Sequence, residues 1–98
     1  MSEARRERIE RKLRERLEAV HVELRDESHK HVGHAGAASG AGHFRALIVS
    51  PRFRGLSRVA AQRAVYAALD DEMDAAIHAL SIRALTPEAW KTRPLRLR

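Results

Sequence analysis

The spacing of apolar residues changes within the first 26 residues of this chain, and the change restricts the folds open to it. Ile9, Leu13 and Leu17 recur at every fourth position over residues 2–18, which predicts a helix with one buried face. Over Val20–Asp26 apolar and polar side chains alternate, which predicts a half-buried strand. Because 98 residues form one core, we expect a single α+β domain.

The rest of the chain continues this mixture of helices and strands. The further predicted elements are a strand over His43–Ser50, a helix from the N-cap Ser57 to about Leu69, a short helix over Asp70–Ile77, a strand over His78–Leu85 and a helix over Pro87–Lys91. The predicted order is α-β-β-α-α-β-α, with an antiparallel first hairpin and a three-stranded sheet whose helices pack on one side. Residues 1–91 form the predicted domain, and residues 92–98 a basic, frayed tail.

Composition narrows the classes of protein. There are 19 Lys and Arg against 13 Asp and Glu, which gives a formal net charge of +6 with neutral histidines. The longest apolar run, Ala46–Val49, is too short to cross a bilayer, and the first twenty residues are too charged for a secretory signal. We expect a basic cytoplasmic protein that does not bind membranes.

The chain has no cysteine, so it forms no disulfide and supplies no thiolate to a reaction or a metal. Its six histidines are the candidate metal ligands, because neutral imidazole binds zinc, copper, nickel and iron. Few apolar residues are larger than alanine, which disfavours an enclosed substrate pocket. No set of Ser, His and Asp on separate elements indicates catalysis, and we expect a protein that is not an enzyme.

Three histidines, His29, His31 and His34, form an H-x-H-x-x-H cluster in a glycine-rich loop over residues 27–42. Alternate residues of an extended segment point in opposite directions, so all three would meet one metal only if the loop folds back. The alternatives are a zinc or nickel site within the loop and a solvated loop without a ligand. The local sequence around His78 favours a histidine bonded to a backbone carbonyl.

The segment from Phe44 to Leu69 is basic and holds no acidic residue. Its arginines are Arg45, Arg52, Arg54, Arg58 and Arg63. Such a patch is able to contact phosphates. A G-x-x-G sequence at Gly33–Gly36 resembles the loop of RNA-binding KH domains, but it follows a strand instead of joining two helices. Only four aromatic residues are available for base stacking.

Several segments together resemble the BolA family, in family order over about residues 5–90. The matching segments are Glu27-Ser28-His29-Lys30-His31, His43-Phe44 leading to Val49-Ser50, Phe53-x-Gly55, Arg63-x-Val65-Tyr66-x-x-Leu69, Ile77-His78-Ala79-Leu80 and Thr86-Pro87-Glu88-Ala89-Trp90. The resemblance implies an α/β fold similar to class II KH domains, in agreement with the element order above.

The resemblance also implies a function in iron–sulfur cluster assembly, trafficking or iron sensing. BolA-like proteins are associated with monothiol glutaredoxins, and a [2Fe-2S] cluster is bridged between the two proteins. The glutaredoxin and glutathione each supply a thiolate, which fits a chain that offers only imidazoles. By position, His78 matches the C-terminal ligand of the family and His31 the loop ligand, with His34 as the alternative loop ligand.

One departure from the family bears on a second function. Many members carry Arg-His-Arg on the central helix, where this chain has Ala61-Gln62-Arg63. The change removes a histidine and a positive charge, and it weakens a nucleic-acid interpretation that depends on this helix. The family's link with transcriptional control keeps DNA binding through the KH-like surface as the alternative. The predicted DNA or partner surface consists of Arg52, Arg54, Arg58 and Arg63, and formation of a homodimer is left open.

Overall fold

The computed structural model describes residues 2–27, 42–73 and 77–97. The elements within these residues are α1 (Ser2–Arg16), β1 (His21–Asp26), β2 (Gly42–Val49), a 3-10 helix (Pro51–Phe53), α2 (Arg58–Ala68), β3 (Ile77–Leu85) and α3 (Pro87–Thr92). The α+β class and the order of these helices and strands agree with the prediction, except that the short helix predicted between α2 and β3 is not among them. None of the described helices combines the length and the apolar character that a membrane span requires.

β2 is the central strand of a three-stranded sheet with the order β1-β2-β3. β1 and β2 are antiparallel, as predicted, with His21 opposite Val49. β2 and β3 are parallel, and the connection between them contains α2, because parallel neighbours require a crossover. The central position explains the apolar run Ala46–Val49, whose residues are all buried.

One face of the sheet packs against α1 and α2. Ile9 and Leu13 of α1, and Leu17 directly after it, are at most 5% exposed, as predicted. They lie in one core cluster with apolar residues of the strands and of α2. The strand and α2 members include Val22, Leu24, Phe44, Ile48, Leu80, Ala61 and Val65. Burial of each large apolar side chain contributes roughly 1.5–3 kcal/mol, so this face supplies most of the stability of the domain.

The C-terminal segment lies over the other face of the sheet, where Leu47 and Val49 are buried outside that cluster. The Trp90 ring stacks on His21, which shares this face with Val49, at 4.4 Å between ring centroids and 22° between planes. The Trp90 indole N–H donates to the Leu95 carbonyl at 3.1 Å. These contacts hold the C-terminal segment against the sheet, whereas we predicted a frayed tail. The physical reason is that the segment covers apolar surface that would otherwise face water.

The segment between α2 and β3 also differs from the prediction. The side chain of Ser57 caps α2 as expected, accepting from Ala60 N at 3.1 Å. Asp70–Glu72 form turns, and Ile77 already belongs to β3, so the short helix predicted over these residues is wrong there, while residues 74–76 lie outside the described part. The physical reason is that the side chains of Asp71 and Glu72 bind α1 instead of a helix N-terminus.

Candidate functional site

The predicted metal ligands are placed only in part. His31 and His34 lie outside the described residues, as does His29. His78 is the second residue of β3. In residues 2–27, 42–73 and 77–97, no three His, Asp or Glu side chains form a group that would hold a metal.

The backbone of β3 is irregular at His78. Gly42 lies opposite Ile77, whereas the next residue of β2, His43, lies opposite Ala79. β3 thus contains one more residue than β2 at this point, and the extra residue is His78. A β-bulge leaves its extra residue outside the regular ladder, and bulges are over-represented next to functional sites.

Both ends of the segment that carries the loop histidines lie at the same end of the sheet as His78. The backbone N–H of Glu27, which follows β1, donates to the His43 carbonyl at 2.7 Å. Gly42, the first residue of β2, pairs with Ile77. Because β1 and β2 are antiparallel and β2 and β3 are parallel, the end of β1 and the starts of β2 and β3 lie at the same end of the sheet.

Basic residues of α1 bind the turn that precedes β3. Arg8 donates to both carboxylate oxygens of Glu72, from Nε at 2.8 Å and from Nη2 at 2.7 Å. Lys12 donates to Glu72 and, at 2.8 Å, to Asp71. Arg16 donates to Asp71 at 2.9 Å. We call these five residues the α1–turn clamp.

The clamp holds its carboxylates in the charged form. The Glu72 side chain is only 5% exposed, and burial opposes its ionisation. Hydrogen bonds from Arg8, the larger effect, and from Lys12 outweigh burial and lower the pKa of Glu72 to about 2. Arg16 and then Lys12 hold the pKa of Asp71 far below its usual range. The clamp therefore stays ionised at neutral pH.

The four arginines of the predicted partner surface fall into two pairs. Arg52 contacts Glu18 at 2.8 Å, and Arg54 forms an ion pair with Glu88. Within the described ranges, Arg58 and Arg63 have no carboxylate partner. Both lie exposed on α2, and they are the cations of this surface that remain available to a ligand.

A solvent-open cavity of about 410 Å³ lies between the start of α2 and the strand β3. Apolar lining comes from Phe53, Ala61 and Ile82, and arginine lining from Arg58 and Arg83. In the part of the chain that the structure describes, neither arginine has a carboxylate partner. The cavity thus has a mixed apolar and polar lining with two cations.

Exposed apolar side chains adjoin these cations. Leu56, Val59 and Tyr66 are 43%, 58% and 40% exposed, although each is large enough to be buried at a gain. Val59 and Tyr66 lie on α2 with Arg63 between them. Exposed apolar groups gathered in one region, with polar residues around them, are typical of a surface that contacts another macromolecule.

Sequence reasoning missed the α1–turn clamp. The spacing of Arg8, Lys12 and Arg16, four residues apart, places three cations on one face of α1 and was available as a signal. Local sequence alone places the acidic run Asp70–Glu72 at the start of the predicted short helix. The two segments are about sixty residues apart, and only the fold brings them together.

A second charged cluster, also missed, lies under the C-terminal segment. The Glu23 carboxylate accepts from the backbone N–H of Leu97 at 2.8 Å and from Arg96 at 2.9 Å, and His21 Nε2 lies 2.7 Å from it. Burial raises the pKa of Glu23, but the hydrogen bonds from His21, Leu97 and Arg96 outweigh burial and lower it to about 2. His21 thus contacts both the Glu23 carboxylate and the Trp90 ring.

Comparison with known proteins identifies the family of this domain. The BolA family profile, described as "BolA-like protein", matches residues 13–89. The chain belongs to the BolA-like family. The profile ends one residue before Trp90, so the contacts of the C-terminal segment lie beyond the matched residues.

Comparison with individual proteins gives the same family. The chain is 44% identical over 86 residues to BolA-like protein 1 of Bos taurus, covering 88% of this chain and 62% of that protein. It is 38% identical over 86 residues to the DNA-binding transcriptional regulator BolA of Escherichia coli, covering 88% of this chain and 79% of that protein. The solved BolA domain of SufE1 from Arabidopsis thaliana is 43% identical, with a TM-score of 0.75 over 86% of this chain and 93% of that one. The chain thus spans less than two thirds of the bovine protein's length.

Proposed function

We propose that this chain is a non-enzymatic, cytoplasmic accessory protein of iron–sulfur cluster assembly, trafficking or iron sensing. It would carry a [2Fe-2S] cluster as cargo, shared with a monothiol glutaredoxin and glutathione. The observation that supports this most directly is the juxtaposition at one end of the sheet. There the bulge residue His78 follows Ile77, the first residue of β3, which pairs with Gly42 where the segment with the loop histidines rejoins the sheet.

The chemistry of the available donors supports the same proposal. Without cysteine, the chain offers imidazoles, and two thiolates from glutaredoxin and glutathione would complete four ligands on two irons. His78 is the proposed strand ligand, and His31, with His34 as the alternative, the loop ligand. Histidine ligation raises the potential of a cluster above that of an all-thiolate one. Binding also becomes pH-dependent, because only the neutral imidazole coordinates iron.

The exposed surface of α2 is the proposed docking site for the glutaredoxin. Arg58 and Arg63 offer charge without a carboxylate partner among the described residues, and Val59 and Tyr66 offer apolar contact area. Exposed apolar residues of this kind suit a protein partner better than a phosphate backbone, which contacts cations.

The test is a titration of cluster-loaded monothiol glutaredoxin, with glutathione, followed by visible circular dichroism. The wild type is expected to produce a new spectrum that saturates at one-to-one. His78→Ala and His31→Ala should both alter that spectrum. His29→Ala, in the same loop but not an assigned ligand, is the matched control and should leave it unchanged.

The outcomes distinguish a wrong ligand assignment from a wrong function. An effect of His78→Ala and His34→Ala, without an effect of His31→Ala, would move the loop ligand to His34. If folded wild-type protein leaves the spectrum of the loaded glutaredoxin unchanged, the proposed function is wrong.

The alternative function is DNA binding, favoured by the cavity beside α2 with its two arginines. The Escherichia coli relative carries the name of a DNA-binding transcriptional regulator. Each phosphate contact adds about 0.9 to the slope of log affinity against log salt. Replacing both Arg58 and Arg83 with glutamine should reduce the magnitude of this slope by about 2. Arg14→Gln, on the outer face of α1, is the control, and equal slopes in all variants would exclude this surface.

A further inference from the structure

We propose that the α1–turn clamp positions His78, so that Arg8 and Glu72 act as positioning residues for cluster binding although neither is a ligand. The inference rests on the proposed function, since it concerns the histidine that would bind the cluster. It assigns a role to Glu72, the one buried carboxylate among the described residues.

The clamp is built to fix the turn in one place. Arg8 contacts both oxygens of Glu72, and a planar guanidinium paired with a carboxylate in this way constrains orientation as well as distance. Lys12 adds a contact to the same carboxylate and a second contact to Asp71. Arg16 also donates to the Ala68 carbonyl at 2.8 Å, so α1 holds the end of α2 together with the turn.

Backbone contacts transmit this constraint to the start of β3. The Glu72 carbonyl accepts from the N–H of Ile77 at 3.0 Å, and Met73 forms an isolated bridge with Ile77. Ile77 is fully buried and pairs with Gly42. The residue whose side chain is clamped to α1 is therefore hydrogen-bonded, through its own carbonyl, to the residue that precedes His78.

Because of the bulge, the position of His78 depends on the contacts that hold Ile77. The extra residue of a bulge has no ladder partner, so its position depends on the residues on either side. After His78, Ala79 is held by pairing with His43. Before it, Ile77 is held in part by the turn that the clamp fixes. Loss of the clamp is expected to free the upstream side and to let His78 occupy several positions.

The decisive variant is Arg8→Gln, because the Arg8 side chain is 41% exposed and Lys12 still neutralises Glu72 after the change. Glu72→Gln is the second variant, although it also leaves two cations without their buried partner. Arg14→Gln is the control, since it removes a contact to Glu10 at 3.2 Å within α1 and leaves the turn untouched.

Two measurements are made on each variant. Amide hydrogen exchange by NMR, on the chain alone, is expected to be at least tenfold faster at Ile77 and His78 in Arg8→Gln, with the core amides of β2 unchanged. Titration into cluster-loaded glutaredoxin is expected to show at least tenfold weaker binding and a changed visible spectrum. A merely structural loss would reduce the amount of complex without altering its spectrum.

Each outcome either supports or overturns the inference. If the wild type forms the complex and Arg8→Gln forms it with the same affinity and spectrum, the inference is wrong and the proposed function stands. If exchange accelerates throughout the core, the clamp contributes only global stability and the inference is also wrong. If the wild type forms no complex, the proposed function fails and takes the inference with it. Local acceleration together with weakened, spectrally altered binding supports the inference.

Discussion

The two faces of the sheet are covered in different ways. On one face, two helices bury a continuous set of apolar side chains around Leu13 and Val65. On the other, where Leu47 and Val49 are also buried, a short segment stacks one aromatic ring on His21 and makes a few polar contacts to Glu23. Because apolar burial scales with area, the first cover should set the global stability, whereas the second should be able to open locally.

The largest effect is expected on the helix-covered face. Leu13→Ala removes a fully buried side chain from the centre of the core and leaves a cavity, so it should lower the free energy of unfolding by about 3 kcal/mol. Urea denaturation measures the change. The matched variant Leu56→Ala, at a side chain that is 43% exposed, should change it by less than about 1 kcal/mol. Equal losses would contradict the assignment of the core.

A smaller effect is expected on the other face. Trp90→Ala removes the ring that stacks on His21 and should lower the free energy of unfolding by about 2 kcal/mol, since the ring is only partly buried. Trp90→Phe, which retains an aromatic ring but loses the bond to Leu95, should lose about half as much. Hydrogen exchange should increase mainly in the C-terminal segment. Unfolding of the whole sheet by Trp90→Ala would show that the two covers are equally important.

Acid tests the two covers together, because each makes ion pairs with a carboxylate whose pKa is lowered to about 2. Glu72 bonds to α1, and Glu23 bonds to the C-terminal segment. A group with a lowered pKa in the folded state contributes stability above its unfolded pKa, near 4.5. That contribution is lost as the pH falls from about 4.5 to about 2. Each should contribute on the order of 2 kcal/mol, measured by urea denaturation at a series of pH values. Glu72→Gln and Glu23→Gln should each flatten this pH dependence, and a slope unchanged in both would contradict these ion pairs.

Local patterns in the sequence were sufficient for most of the fold. The four-residue period around Leu13 predicts α1, and the predicted N-cap Ser57 accepts the expected backbone hydrogen bond. The clamp and the cover by Trp90 could not be predicted in the same way. Their partners lie about sixty to seventy residues apart, and charge or aromatic residues read locally do not reveal which distant residue they meet.

The candidate site was less predictable than the fold. His78 could be named from the family resemblance, but the bulge at His78 depends on the register between two strands that are distant in sequence. The parallel pairing that brings His78 beside Gly42 was likewise not part of the prediction. His31 and His34 lie outside the described residues, so the assignment of the loop ligand stays a prediction.

The smallest effect tests what holds the C-terminal segment in place. Arg96 contacts the Glu23 carboxylate at 2.9 Å and lies 5.3 Å from the centroid of the Trp90 ring, yet its side chain is 61% exposed. Exposed ion pairs contribute little, so Arg96→Gln should lower the free energy of unfolding by about 0.5 kcal/mol, and high salt should reduce the difference. The backbone N–H of Leu97 keeps its bond to Glu23 in this variant. A loss as large as that of Trp90→Ala would instead mean that charge, and not the stacked ring, secures the second cover.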